Sequence, residues 1–253
     1  MPDAGPRFTA AFAESDADLR AAQALRYDVF VREMGSSGTG VDHARGLECD
    51  RFDAFARHLL LRDEISGAVI GVYRLMEREQ ARAAGGFYSE GEYDLAPLLD
   101  SNRRLLELGR SCLHRDYRGG LAMHHLWSAL SAHVMDSGID ILFGTASFHG
   151  TDIAALAEPL SHLHAAHLAP PDLRVRARAY QRMDLVAPDT IDRKRAVVAI
   201  PPLIKAYLRL GGFVGDGAFV DHAFNTTDIC LVLDTARMNA RQTAIYSRSR
   251  PRE

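Results

Sequence analysis

Cysteine is scarce: Cys49, Cys112 and Cys230 are the three in 253 residues. An odd, widely spaced set excludes a disulfide framework and the paired spacing of zinc motifs, and fits reduced thiols in a cytosol. No apolar run approaches the roughly 20 residues of a membrane span. The opening MPDAGPRFTAAFAESDADLR is too polar and acidic for a signal peptide. These absences predict a cytoplasmic protein, at most peripheral to a membrane. A large charge excess is also missing. The net charge of -3 gives no global reason to expect nucleic acid. There is no internal repeat and no break in composition, so the chain is predicted to form one domain over 1–253, with flexible ends at 1–15 and 236–253.

What is present is charge gathered in places. Arg103, Arg104, Arg110, Arg115 and Arg118 surround ELGRSCLHRDYRGGLAMHHLW (107–127), while Arg174, Arg176 and Arg178 form a second group and Arg193, Lys194 and Arg195 a third. The stretch from 107 alternates like a strand, breaks at Arg118-Gly119-Gly120 and resumes with helical spacing. A helix N-terminus carries partial positive charge and outward backbone amides, and both favour an anion such as phosphate.

The rest reads as alternating elements. DADLRAAQALRYDVFVREM (16–34) has helical spacing, with Ser15 or Asp16 able to cap it. HLLLRD and AVIGVYRLM flank the turn EISG as a hairpin. Leu105 to Leu113 is a strand, with Leu106, Leu108, Arg110 and Cys112 alternating against Glu107, Gly109 and Ser111. A helix follows over 121–135, then the strand IDILFGTASF and a helix over 151–167. LRVRARAYQRMDLV alternates like a strand, PPLIKAYLRLGG is a helix opened by Pro and closed by Gly, and the last strands follow. The order predicts an α/β or α+β fold with a mixed central sheet. In such sheets ligands bind at the carboxyl ends of strands, here those ending at Leu113 and near Ala146.

Strand, arginine-glycine turn, helix and strand together resemble the acyl-CoA-dependent N-acyltransferases of the GNAT superfamily. RGGLA is shorter than that family's usual R-G-x-G turn. RYDVF (Arg26, Tyr27, Phe30), ECDRFD (Glu48, Asp50, Asp53), YRL (Arg74) and ELGR (Glu107, Arg110) occur in the order of a set in the acyl-homoserine-lactone synthases, which are GNAT-like. GFYSEGEYDL, LLELGRSCLHRDYR, FGTASFHGTD and PPLIKAYLRLGGFVGDGAFVDHAFNTTDI resemble the ornithine-lipid acyltransferases, from about Leu25 to Leu233.

That resemblance implies a GNAT-like acyltransferase fold with helices flanking the mixed sheet. It implies transfer of a 3-hydroxyacyl chain from acyl carrier protein to the α-amine of L-ornithine, giving lyso-ornithine lipid and transient contact with the inner membrane face. The donor group would be the acyl-4'-phosphopantetheine of the carrier, with acyl-CoA an open alternative and no resident cofactor or metal. Glu107 is the candidate base and, with Arg110, the catalytic pair. Arg26, Phe30, Asp50, Asp53, Arg74 and Ser147 would line the acceptor site, and Leu113, Arg118, Gly119 and Gly120 would hold the donor. Exposed Arg103, Arg104, Arg115 and the Arg174 group would dock the acidic carrier. Alternatives are a lactone-type synthase, acylation of another amino acid, and a carrier- or lipid-binding protein without turnover.

Ser147, His149 and Asp152 lie too close in sequence for a triad and carry no nucleophile-elbow motif. His162, His164 and His167 lack the further ligand a metal needs. A buried Cys112 argues against an acyl-cysteine step.

Overall fold

The computed structural model describes residues 7–38 and 40–238. From the N-terminus, β1 (Phe8–Phe12) leads into α1 (Asp16–Arg26), whose Ser15 cap and Asp18 form a reciprocal capping box. The helix widens into π turns over Tyr27–Glu33. Two short strands, β2 (Val41–Asp42) and β3 (Leu47–Glu48), pair antiparallel. The hairpin of β4 (Arg57–Asp63) and β5 (Val69–Glu77) follows, then α2 (Arg78–Ala84), β6 (Tyr93–Asp94) and α3 (Ala96–Leu99). Next come β7 (Leu105–Leu113), α4 (Leu121–Asp136), β8 (Ile141–His149) and α5 (Ala157–His167). The chain closes with β9 (Arg176–Ala177), α6 (Arg193–Ala199), α7 (Pro202–Arg209), β10 (Phe213–Val214), β11 (Phe219–Asp221) and β12 (Thr226–Asp234).

The described residues pack as two compact units, 7–76 with 108–138 and 77–107 with 139–238. In the first, the strand order is β1-β4-β5-β7, with β1–β4 and β4–β5 antiparallel. Its core joins Ala22, Leu25 and Val29 to Leu60, Val72 and Cys112, and Phe30 packs against them. Each such side chain, once buried, contributes about 1.5–3 kcal/mol for the larger aliphatics. Helix α4 lies so close to β5 that a Cβ at Gly71 would stand 3.1 Å from Leu113 and 3.3 Å from Leu126. Only glycine fits without repacking.

In the second unit the order is β7-β8-β12-β10, with β11 also on β12. The first three residues of β7 run parallel to β8, Glu107 opposite Phe143, and β8 runs antiparallel to β12 along nine pairs. The eight-stranded sheet is therefore mixed, as the element order predicted.

Three expectations need correction. LRVRARAYQRMDLV forms only the two-residue β9, where Arg176 and Ala177 pair with Asp94 and Tyr93; its arginines reach out to Ala169 O (Arg174), Asp216 (Arg176) and Glu90 O (Arg178). The helix expected from 151 begins at Ala157, since Asp152 caps a preceding turn through the amides of Ala154 and Ala155. The lead-in 1–15 contains the paired strand β1. Of the expected C-terminal tail, 239–253 lies outside the described residues. Among the described residues, no helix is long and apolar enough to cross a membrane.

Candidate functional site

In the first unit the charged residues quoted from four separate motifs converge. Arg26, at the end of α1, is fully buried; its Nε donates to Glu48 Oε2 at 2.5 Å, Nη1 to Asp53 Oδ1 at 2.8 Å and Nη2 to Asp53 Oδ2 at 2.8 Å. Arg74, on β5, donates to Asp50 at 2.6 Å and Asp53 at 3.0 Å. Arg110, on β7, donates to Glu48 at 3.1 Å and Asp50 at 3.0 Å. Three arginines thus share three carboxylates in a closed circuit. Charge-assisted bonds of this kind are strong and directional, which offsets the cost of burying the ions. Burial pushes the Asp53 carboxyl up, but Arg26 and Arg74 outweigh it and hold it well below the usual range. Asp50 is lowered by Arg74 and Arg110 against the same burial.

Arg110 reaches this circuit from an unusual backbone, φ +48°. A non-glycine residue in the left-handed region stores strain, on the order of 1–3 kcal/mol, and the surrounding ion pairs hold it there. The twist interrupts the alternation expected of β7: Gly109, Arg110 and Ser111 are all half-buried in succession.

His58, opposite Arg74 in the β4–β5 register, sits against this network with Nε2 3.1 Å from Asp53 O. Burial pushes its pKa down. A depressed value means the unfolded chain binds the proton more readily, so stability falls as pH drops below about 6.5. His162 and His167 are pushed down by burial too. We expect the urea midpoint to fall from pH 7 to pH 5, and His58→Leu to flatten part of that slope. An unchanged slope in His58→Leu would show that His58 does not carry it.

The arginine-glycine turn lies at the start of α4. Gly119 has φ +77° and Gly120 is the N-cap in extended backbone. Arg118 donates through Nε to Leu113 O at 3.0 Å, tying the turn to the end of β7, and its fork engages both oxygens of Glu33. A Cβ at Gly120 would meet nothing within 4 Å. Gly120→Ala is therefore expected to fold normally, and a severalfold rise in donor KM would mark close approach of a ligand to this backbone. An unchanged KM would remove Gly120 from the donor site. Gly119→Ala adds a backbone cost of about 1 kcal/mol.

The second unit holds Glu107 and Ser147. Glu107 is buried, and its carboxylate accepts the backbone N–H of Tyr88 at 3.0 Å and of Ser89 at 2.7 Å. The short turn Tyr88–Gly91 therefore fixes both oxygens in place. Ser147 is exposed on β8, in register with Asp228 of β12. The arginines expected to dock a partner are partly engaged within this unit: Arg103 with Asp234, Arg104 near Glu77 at 3.6 Å, Arg176 with Asp216. Cys112 is buried and its thiol pushed up to about 12, so it is a poor nucleophile.

Sequence reading gave no role to Glu48, Glu33 or His58. Glu48 carried a signal, standing in the ECDRFD motif beside Asp50 and Asp53. Glu33 and His58 carried none, since only folding brings them to Arg118 and Asp53.

A mixed eight-stranded sheet flanked by helices, with an arginine-glycine turn leading into α4, is the fold of a GNAT-type acyltransferase. Residues 25–128 match the Acetyltransferase (GNAT) domain family. The chain is 55% identical over 236 residues to an L-ornithine N(alpha)-acyltransferase of Rhodobacter capsulatus, covering 91% of each chain. It belongs to the family of L-ornithine N(alpha)-acyltransferases. The fold is shared at TM-score 0.53 and 12% identity with an N-acyl amino acid synthase from uncultured soil microbes, over 92% of each chain. It is shared at TM-score 0.54 and 17% identity with a CoA-dependent acyl-homoserine lactone synthase, over 96% of this chain and 88% of that one.

Proposed function

We propose that this acyltransferase moves a 3-hydroxyacyl chain from acyl carrier protein to the α-amine of L-ornithine. The observation that carries the reading is the 55% identity, over 91% of both chains, to an enzyme named for that acceptor. The reaction needs a neutral amine, a polarised thioester carbonyl and a protonated leaving thiol. The α-ammonium gives a proton to Glu107, directly or through a water. The amine attacks the carbonyl carbon, a C–N bond forms, and the C–S bond breaks as the thiolate leaves and takes up the proton that the attacking nitrogen gives up in becoming the amide. The turn Arg118-Gly119-Gly120 receives the pantetheine phosphate, for which Arg118 exchanges Glu33. One phosphodiester suits a turn with two glycines better than the further phosphates of coenzyme A.

The circuit of Arg26, Arg74, Arg110 and the three acids shapes the acceptor side of the first unit. Its charges are mutually balanced, so we assign it to holding Phe30 and the β7 backbone rather than to transferring protons. Three free thiols fit a reducing cytoplasm, and the acylated product fits transient contact with the inner membrane face.

The test is purified protein with 3-hydroxyacyl carrier protein or 3-hydroxyacyl-CoA, offered a panel of amino acids and read by mass spectrometry. Acyl-ornithine from the carrier donor supports the reading. Equal or better transfer from the CoA donor overturns the carrier assignment, and another acylated amino acid overturns the acceptor. Binding of donor without any product would make the protein a carrier- or lipid-binding one.

A further inference from the structure

One face of the second unit's sheet carries polar groups outside the roles assigned above. Residues paired in register across neighbouring strands share a face, and every second residue along a strand returns to it. Glu107 pairs with Phe143, and Phe143 with Val232. Thr145 and Ser147 of β8, and Cys230, Asp228 and Thr226 of β12, therefore lie on the Glu107 face. Asp221 of β11 joins them as the partner of Thr226.

Glu92, at the end of the Tyr88–Gly91 turn, completes a cluster: carboxylate oxygens of Glu92, Asp221 and Asp228 lie within 4.8 Å of one another. Glu92 and Asp228 are buried, 6% and 5% exposed. Thr226, 5% exposed, stands on the same face, opposite Asp221 and two residues from Asp228, and its Oγ1 has no hydrogen-bond partner among the described residues. Burial pushes the Cys230 thiol up, with the charges of Glu107 and Glu92 adding to it. Ser147, in register with Asp228, is exposed on that same face.

We infer that Glu92, Asp221 and Asp228, with the Thr226 hydroxyl, bind the side-chain ammonium of the amino-acid acceptor and thereby select an acceptor that has one. The inference rests on the proposed amino-acid acylation. An –NH3+ group presents three donors at tetrahedral angles, and acceptors about 2.8 Å from its nitrogen stand roughly 4.6 Å apart. The three carboxylate oxygens, all within 4.8 Å of one another, lie close enough together to face one such group. Asp50 and Asp53, the acids assigned to the acceptor from sequence, are shared among arginines and have their charge matched already.

The experiment compares L-ornithine with L-norvaline, the same chain without the side-chain amine, in wild type, Asp228→Asn and Glu92→Gln. Wild type prefers ornithine, and either variant cuts the ornithine-over-norvaline ratio of kcat/KM by about 10- to 100-fold, the loss of a charged hydrogen bond. Two variants are used because Asp228 sits in the central β12. A ratio unchanged in the variants, with both acceptors falling together, overturns the inference and leaves the reaction standing. So does a wild type indifferent to the amine. Calcium or manganese binding that is lost in Asp228→Asn, with the ratio unmoved, would make the cluster a metal site and also overturn it. If wild type acylates no amino acid, the proposed function fails. Calorimetry on the same proteins then decides the site: ornithine binding weakened at least tenfold in the variants supports it, and absent binding overturns it.

Discussion

Glu107→Ala is expected to lower kcat/KM for amine acylation by about 10²- to 10⁴-fold, the usual worth of a positioned general base. Two roles meet in this side chain. Its oxygens accept the Tyr88 and Ser89 amides, so removal also leaves two backbone donors in a buried place without an acceptor. The pH profile separates the roles. A base gives kcat/KM an acid limb, which disappears in the variant, and formate added to Glu107→Ala restores part of the rate. If the variant keeps the limb and formate does nothing, Glu107 only positions the Tyr88–Gly91 turn. Faster hydrogen exchange at Tyr88 and Ser89 is expected in either case and reports the structural part.

Arg26→Ala should cost about 3–5 kcal/mol of folding stability, because it leaves Glu48 and Asp53 buried with half their partners gone. Arg26 supplies three of its nitrogens to this network, and Glu48 O is a further acceptor. Lysine is no substitute, since one ammonium cannot span Glu48 and both oxygens of Asp53. The check is urea denaturation at pH 7 and again near pH 4. The deficit should shrink at the lower pH, because the Asp53 carboxylate, no longer held down by Arg26, protonates more readily there. In the wild type Asp53 is held well below its unfolded value, so its contribution is complete above about pH 4 and is lost only on further acidification. A deficit under about 1 kcal/mol at pH 7 would mean the circuit closes without Arg26.

Much of the fold was legible because its signals are local. The β7 alternation, the glycines before α4 and the turn EISG each act within a few residues of themselves, and each element formed where the pattern put it. The misreadings share a cause. In LRVRARAYQRMDLV the period-2 pattern was present, but strand formation needs a neighbour. Arg176 and Ala177 find one on Tyr93 and Asp94, and Gln181 makes a single bridge to Ala218, too little to extend a strand. Helix α6 was read only as a charge run, because five of its seven residues are RKR and Ala, with Val197 and Val198 left on the outside.

By itself the sequence determined the element order, the anion-favouring turn, the set of arginines and acids and the family they belong to. Each rests on residue type and spacing along the chain. Tertiary structure decided who pairs with whom. It matched Arg26 to Glu48 and Asp53, turned Arg110 into a left-handed backbone to reach Glu48 and Asp50, and gave Glu107 two amides from a turn 18 residues before it. It also gathered Glu92, Asp221 and Asp228 from three segments. Coulomb and hydrogen-bond energies depend on distance and burial in space, and neither quantity is written along the chain.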